Sequence, residues 1–122
     1  MLTVAEINAH LRSAVAYTYV GNEFTTTSPD DCALVRISGG YAPSEWTSKA
    51  NPGFQIVVRS KLPAVSETTA NALFTYLHGK VEFNFGSTRV VKCTANQSAP
   101  WWLGKDSSNR TEYSLNFTLT TI

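Results

Sequence analysis

Arg110-Thr-Glu-Tyr-Ser-Leu-Asn-Phe-Thr-Leu-Thr-Thr121 decides how this chain folds. Tyr113, Leu115, Phe117 and Leu119 alternate with Glu112, Ser114, Asn116, Thr118 and Thr120. A period of two puts one set on each side of an extended strand, so the segment reads as a half-buried β-strand with one apolar and one polar face. The polar side, hydroxyls and amides with a single charge, suits plain solvent or the lining of a channel. If the strand stands at a sheet edge, its free backbone groups could also template pairing with another chain.

Working outward, Val81–Phe85 and Thr88–Ala95 read as a hairpin around Gly86-Ser87. Phe54–Arg59, bounded by Pro52-Gly53 and Pro63, is a further strand, as is Cys32–Ser38, which Gly39-Gly40 ends. A short β-prone run, Tyr17–Val20, closes at Gly21-Asn22. Two segments read as helices. Thr3 and Glu6 have capping-box spacing, and Val4, Ile7, Leu11 and Ala14 follow at helical intervals, giving a helix over 3–14. In the second, Ser66 and Glu67 sit at the expected start. Ala70, Leu73, Phe74 and Leu77 form its apolar stripe, and Gly79 takes the left-handed cap position. Residues 39–53 and 98–109 have neither period and read as irregular connections.

The order helix, strands, helix, strands predicts one α+β domain over residues 1–122. Two amphipathic helices pack on one face of a mostly antiparallel sheet. At 122 residues a single core is sufficient, since such a chain buries roughly two thirds of its unfolded surface. Hydrophobic residues make up 43% and charged residues only 16%, with Ser, Thr and Asn supplying the polarity. A surface of that kind is inexpensive to desolvate against a partner.

Function classes narrow by elimination. The formal charge is +1 and no Lys/Arg stripe tracks a phosphate backbone. No stretch approaches the ~20 apolar residues of a membrane span, and the N-terminus lacks the pattern of a secretory signal, so a reducing cytoplasm is expected. In that setting the Asn-x-Ser/Thr triplets at Asn96, Asn109 and Asn116 carry no glycosylation meaning. Cys32 and Cys93 lie in apolar runs and read as buried thiols, with a disulfide between them the lesser alternative. His10 and His78 have no second ligand one helical turn away and read as surface or helix-end histidines, His78 beside the last carbonyls of its helix. No Gly-x-Ser-x-Gly occurs. Around Gly104-Lys105, Asp106 and Ala99 break the phosphate-loop pattern. Asp30-Asp31 after Pro29 reads as a solvated turn. No cofactor or metal is implied.

What stands out is aromatic content outside the periodic segments. Trp46, Trp101 and Trp102 fall in the two irregular connections. They are either interface anchors or lids folded over the core, and Trp46, among polar neighbours, is the better interface candidate. Arg59, Arg89 and Arg110 could reach acidic groups of a neighbouring subunit, although Asp106 and Arg110 are also spaced to pair with each other.

The succession Phe54-Gln-Ile-Val-Val-Arg59, the helix end Tyr76-Leu-His-Gly79, Pro100-Trp-Trp-Leu-Gly-Lys-Asp-Ser-Ser-Asn-Arg110 and Tyr113-Ser-Leu-Asn-Phe117 resembles the tail-terminator, or tail-completion, proteins of long-tailed bacteriophages. The resemblance covers about residues 54–120. It implies an α+β subunit of the virion, made in the bacterial cytoplasm. Such a subunit assembles as a ring, usually a hexamer, on the last ring of the tail tube and stops tube growth. It also presents the surface on which the head docks. The implied partners are copies of itself, the tail-tube protein and a head-completion or connector protein, with DNA passing through the lumen. A closed ring needs two different patches on each subunit. Trp46 with its loop, and the segment from Trp101 and Trp102 to Asp106 and Arg110, are the candidates, with Arg59 beside them. A head-completion or tube subunit is the neighbouring alternative. From another class, the tryptophans could serve a non-catalytic ligand-binding module as a stacking platform.

Overall fold

The computed structural model describes residues 2–122. Its elements are α1 (Val4–Ala14), β1 (Tyr19–Gly21), β2 (Cys32–Ile37), β3 (Gly53–Ser60), α2 (Pro63–Leu77), β4 (Val81–Phe85), β5 (Thr88–Ala95), β6 (Trp101–Lys105) and β7 (Thr111–Thr121). The strands form one sheet in the order β1-β2-β3-β7-β5-β4, with β6 also lying against β7. Every pairing is antiparallel except β1 with β2. The fold is α+β, as expected.

The alternating segment is the central strand, not an edge. On one side β7 pairs with β3 from Gly53↔Thr118 to Ser60↔Thr111. On the other it takes β5 at Phe117–Thr121 and β6 at Thr111–Ser114. Its apolar residues stand in transverse rows with those of its neighbours: Val35, Ile56 and Leu115 in one row, Phe54 and Phe117 in the next. The Phe54 and Phe117 rings stack at 5.1 Å, and Phe85 meets Phe54 edge-on at 5.9 Å. Ile7 and Leu11 of α1 and Ala70, Leu73 and Leu77 of α2 close over these rows as a single core. His10 ties the helices together, its Nε2 2.7 Å from the Tyr76 hydroxyl and its ring edge-on to Phe85. That half-buried contact replaces the expected surface role. Desolvation, and then Lys80, hold its pKa below the ordinary histidine value.

α1 forms as expected, with the Thr3/Glu6 capping box in place. Glu6 does more than cap: its Oε2 accepts from the Ser87 amide at 2.8 Å and the Ser87 hydroxyl at 3.0 Å, tying the helix start to the β4–β5 turn. The amide of Ser87, then its hydroxyl, hold the carboxyl down at about 2.

Three expectations need correction. α2 begins at Pro63, one turn before Ser66, because proline is preorganised for the first helical position. Ser66 lies inside, its buried hydroxyl 3.2 Å from Val58 O and 3.0 Å from Thr111 O, pinning the helix to β3 and β7. His78 stands at the end of its helix as expected, its amide donating to Phe74 O, but its side chain turns to β5 instead of the last carbonyls, with Nδ1 accepting from the Ala95 amide at 3.1 Å. The 98–109 segment is not irregular throughout, since β6 and a tight turn occupy most of it. The 39–53 connection is irregular up to β3, as expected, and isolated bridges pin it. Cys32 and Cys93 are free buried thiols, and burial pushes the Cys93 thiol up to about 12.

Leu115 is fully buried at the centre of the sheet. Leu115→Ala is expected to lower the unfolding free energy by about 2–5 kcal/mol, read from urea denaturation. Glu6 is depressed in the folded state, so its contribution is complete above the ordinary value of 4.5 and is lost as pH falls towards about 2. Glu6→Gln keeps a capping side chain without the charge. Its melting temperature should lie below that of the parent chain at neutral pH, and the gap should close across that acid window.

Candidate functional site

The Trp101–Arg110 segment becomes ordered through a side chain. After Asn96, whose amide still donates to Asn116 O at 2.9 Å, the backbone leaves the β7 ladder, and the Gln97 amide fills the gap. Its Oε1 accepts from the Asn116 amide at 2.9 Å, and its Nε2 donates to Ser114 O at 2.8 Å. The ladder then resumes as β6, with Trp101 opposite Ser114 and Trp102 opposite Tyr113. A bulge at Leu103 and Gly104 shifts the register, and Gly104 takes a φ of +101°, which glycine adopts without strain. Asp106 builds the turn: its Oδ1 accepts from the amides of Ser108 and Arg110, and its Oδ2 takes the Arg110 Nε at 2.8 Å. Desolvation opposes the charge on Asp106, but the Arg110 amide and guanidinium and the Ser108 amide outweigh it and hold the carboxyl below its usual range. Asp106 and Arg110 therefore shape the hairpin, with Arg110 Nη1 also 3.4 Å from Asp30 Oδ1.

Among the described residues, no strand lies on the outer side of β6. Trp101 is 67% exposed, Trp102 60% and Leu103 50%. The two tryptophans project to opposite faces of the strand, because neighbouring strand residues alternate. They therefore do not form one stacking surface.

Trp46 lies elsewhere. Residues 39–53 form an arm between β2 and β3, with Tyr41 and Asn51 bridged at its base and the Ser44 amide donating to Lys49 O at 3.0 Å. Its return limb keeps the register of β3 with β7, from Gly53↔Thr118 on to Ala50↔Thr121, so the arm prolongs the sheet past the end of the central strand. Asn51 Nδ2 reinforces that pairing by donating to Leu119 O at 3.2 Å. Gly40, at a φ of +74°, makes the base possible, since a Cβ there would fall 2.0 Å from Asn51 O. Trp46 at the tip is 91% exposed, and Tyr41 is 76% exposed. From Tyr113, opposite Trp102, to Thr121, opposite Ala50, the central strand runs about 26 Å at the usual rise. The two aromatic patches thus occupy opposite ends of one sheet.

Arg59 does not belong to either patch. It is 3% exposed, its Nη2 donates to Ser28 O at 3.2 Å and Pro29 O at 2.9 Å, and its guanidinium lies 3.9 Å over the Phe24 ring. The guanidinium clamps a loop of its own subunit. Arg89 pairs with Glu82. Tyr41 and Leu103 join the exposed set without having been singled out in the sequence, although each neighbours a residue that was. Nothing in the sequence marks Gln97, because a side-chain amide replacing a backbone pair has no periodic signature.

On the face of the sheet away from the helices, the polar residues are bonded to one another. Arg36 Nε donates to Gln55 Oε1 at 2.8 Å, Gln55 Nε2 to Ser114 Oγ at 2.9 Å, and Thr118 Oγ1 to Asn96 Oδ1 at 2.9 Å. Among the described residues, no three His, Cys, Asp or Glu side chains gather to hold a metal ion, and no helix is long and apolar enough to cross a membrane.

Gln97→Ala leaves the Asn116 amide without its acceptor at the junction of β5 and β6. The expected cost is about 1–3 kcal/mol, with hydrogen exchange accelerating at Asn116 and along β6 while β3 stays protected.

No curated protein sequence matches the chain. Residues 15–121 match the family model described as bacteriophage tail terminator protein. That span takes in both aromatic patches and every strand, and the chain belongs to the bacteriophage tail terminator family.

Proposed function

We propose that this chain caps the tail tube of a long-tailed phage as a ring built from several copies, with six the expected number. The ring ends tube polymerisation and presents the surface on which the head-completion or connector protein docks. Its work is binding between virion subunits, without bond-making chemistry. The observation that carries this reading is the pair of exposed aromatic patches at opposite ends of one sheet, in a chain of this family. Different patches on one subunit are what a closing head-to-tail contact requires. The helix-free face, whose amides and hydroxyls are already bonded to one another, suits a lumen through which DNA moves without being gripped.

The ligand-platform alternative draws less support from the geometry. Trp46 is remote from Trp101 and Trp102, and those two point to opposite sides of β6.

The test is tube growth. Purified chain added to its polymerising tail-tube protein should shorten the tubes in a dose-dependent way and appear at one tube end by electron microscopy. Unchanged tube lengths with no end-bound protein would overturn the reading.

A further inference from the structure

We infer that the arm of one copy lies along the free edge of β6 in the next copy, so that the sheet continues from subunit to subunit. The inference rests on the ring reading above and adds which surface meets which.

Three observations carry it. The first is a notch in the sheet. Beside β5, the neighbouring line is filled by β4 and then by Lys80 and Gly79, which exchange backbone bonds with Cys93, and by His78, which takes the Ala95 amide. Beside β6 nothing continues that line. The vacancy is one five-residue strand long, about 17 Å at the usual rise. An open hollow between Phe74, His78 and Gln97 lies at its inner end.

The second is the direction of the arm. Its return limb is in register with β3 and β7, so the arm leaves the subunit along the strand direction and in the plane of the sheet. A segment delivered in that way is already oriented for strand addition. Its own backbone pairing, from Tyr41–Asn51 to Ser44–Lys49, holds its two limbs together before contact, which reduces the ordering cost of binding.

The third is area. At about 200 Å² per aromatic side chain, the exposed parts of Tyr41, Trp46, Trp101 and Trp102 amount to roughly 600 Å². That is over a third of the ~1,600 Å² of a standard stable interface, before any backbone is counted. The edge is also guarded at one end only. The bulge at Leu103 and Gly104 and the charge of Lys105 discourage pairing there, while Trp101 and Trp102 leave the other end open. A short, one-ended edge favours a single defined partner over open-ended stacking of strands.

Two variants and their mixture test this. Trp46→Ala disables the arm and Trp102→Asp the edge; both side chains are exposed, and Trp102→Ser replaces the edge variant should Trp102→Asp unfold. By sedimentation, the parent chain should form a closed oligomer. Each variant alone should associate at least about thirtyfold more weakly, the loss expected of an interface hot spot. Mixed in equal amounts, they should form a one-to-one dimer that grows no further, because only one intact arm and one intact edge remain. In the parent oligomer, the amide of Trp102, which faces away from β7, should gain protection from hydrogen exchange. Undiminished self-association of either variant, a mixture that stays monomeric, or an oligomer whose Trp102 amide exchanges freely would each overturn the inference. So would a parent chain that stays monomeric at every concentration, and tube shortening would then judge the capping function by itself.

Discussion

The pairing of β3 with β7 is the constraint on which the rest of the molecule depends. Eight residues of each strand run in unbroken register, and the rows they define place Phe54, Ile56, Leu115 and Phe117 on one side, with Val57 on the other. Both helices must then cover that side, since a sheet face carrying Phe54, Ile56, Leu115 and Phe117 is unstable in water. Ser66 joins this arrangement from the helix, and the same register carried on to Ala50 raises the arm. A one-residue slip would turn the phenylalanines outward and bring Gln55 and Asn116 in, so the apolar pattern fixes the register firmly.

The opposite side of β7 is built differently. Two strands share it, and between them the backbone departs from the ladder. Gln97 spans the break with both ends of its amide, accepting from the Asn116 amide and donating to the Ser114 carbonyl. One side chain therefore allows β6 to rejoin the sheet at a position where no further strand covers it. The exposed tryptophans are a consequence of that placement. Their exposure follows from topology, not from any failure of the core to accommodate them.

Charge plays a local part. The ion pairs lie in turns and along exposed edges, where each contributes little to stability. Arg59 is the exception in burial, and its partners are carbonyl oxygens and an aromatic face of its own chain. What remains available to other molecules is mostly aromatic or uncharged, which agrees with the proposed packing against neighbouring subunits.

Local pattern alone determined the fold class, both helices, the hairpin of β4 and β5 and the apolar face of β7. Each of these rests on a period of 2 or 3.6, or on a cap such as Thr3 with Glu6, that a few neighbouring residues specify. The exposed aromatics Trp46, Trp101 and Trp102 were also legible as residues outside any period. Tertiary structure decided what local pattern cannot carry. It made β7 central, turned an apparently irregular stretch into β6, drew Arg59 inward and set the two aromatic patches at opposite ends of the sheet. Those outcomes depend on partners far away in sequence, Gln97 with Asn116 or Ala50 with Thr121, and pairing over such distances leaves no periodic trace in the chain itself.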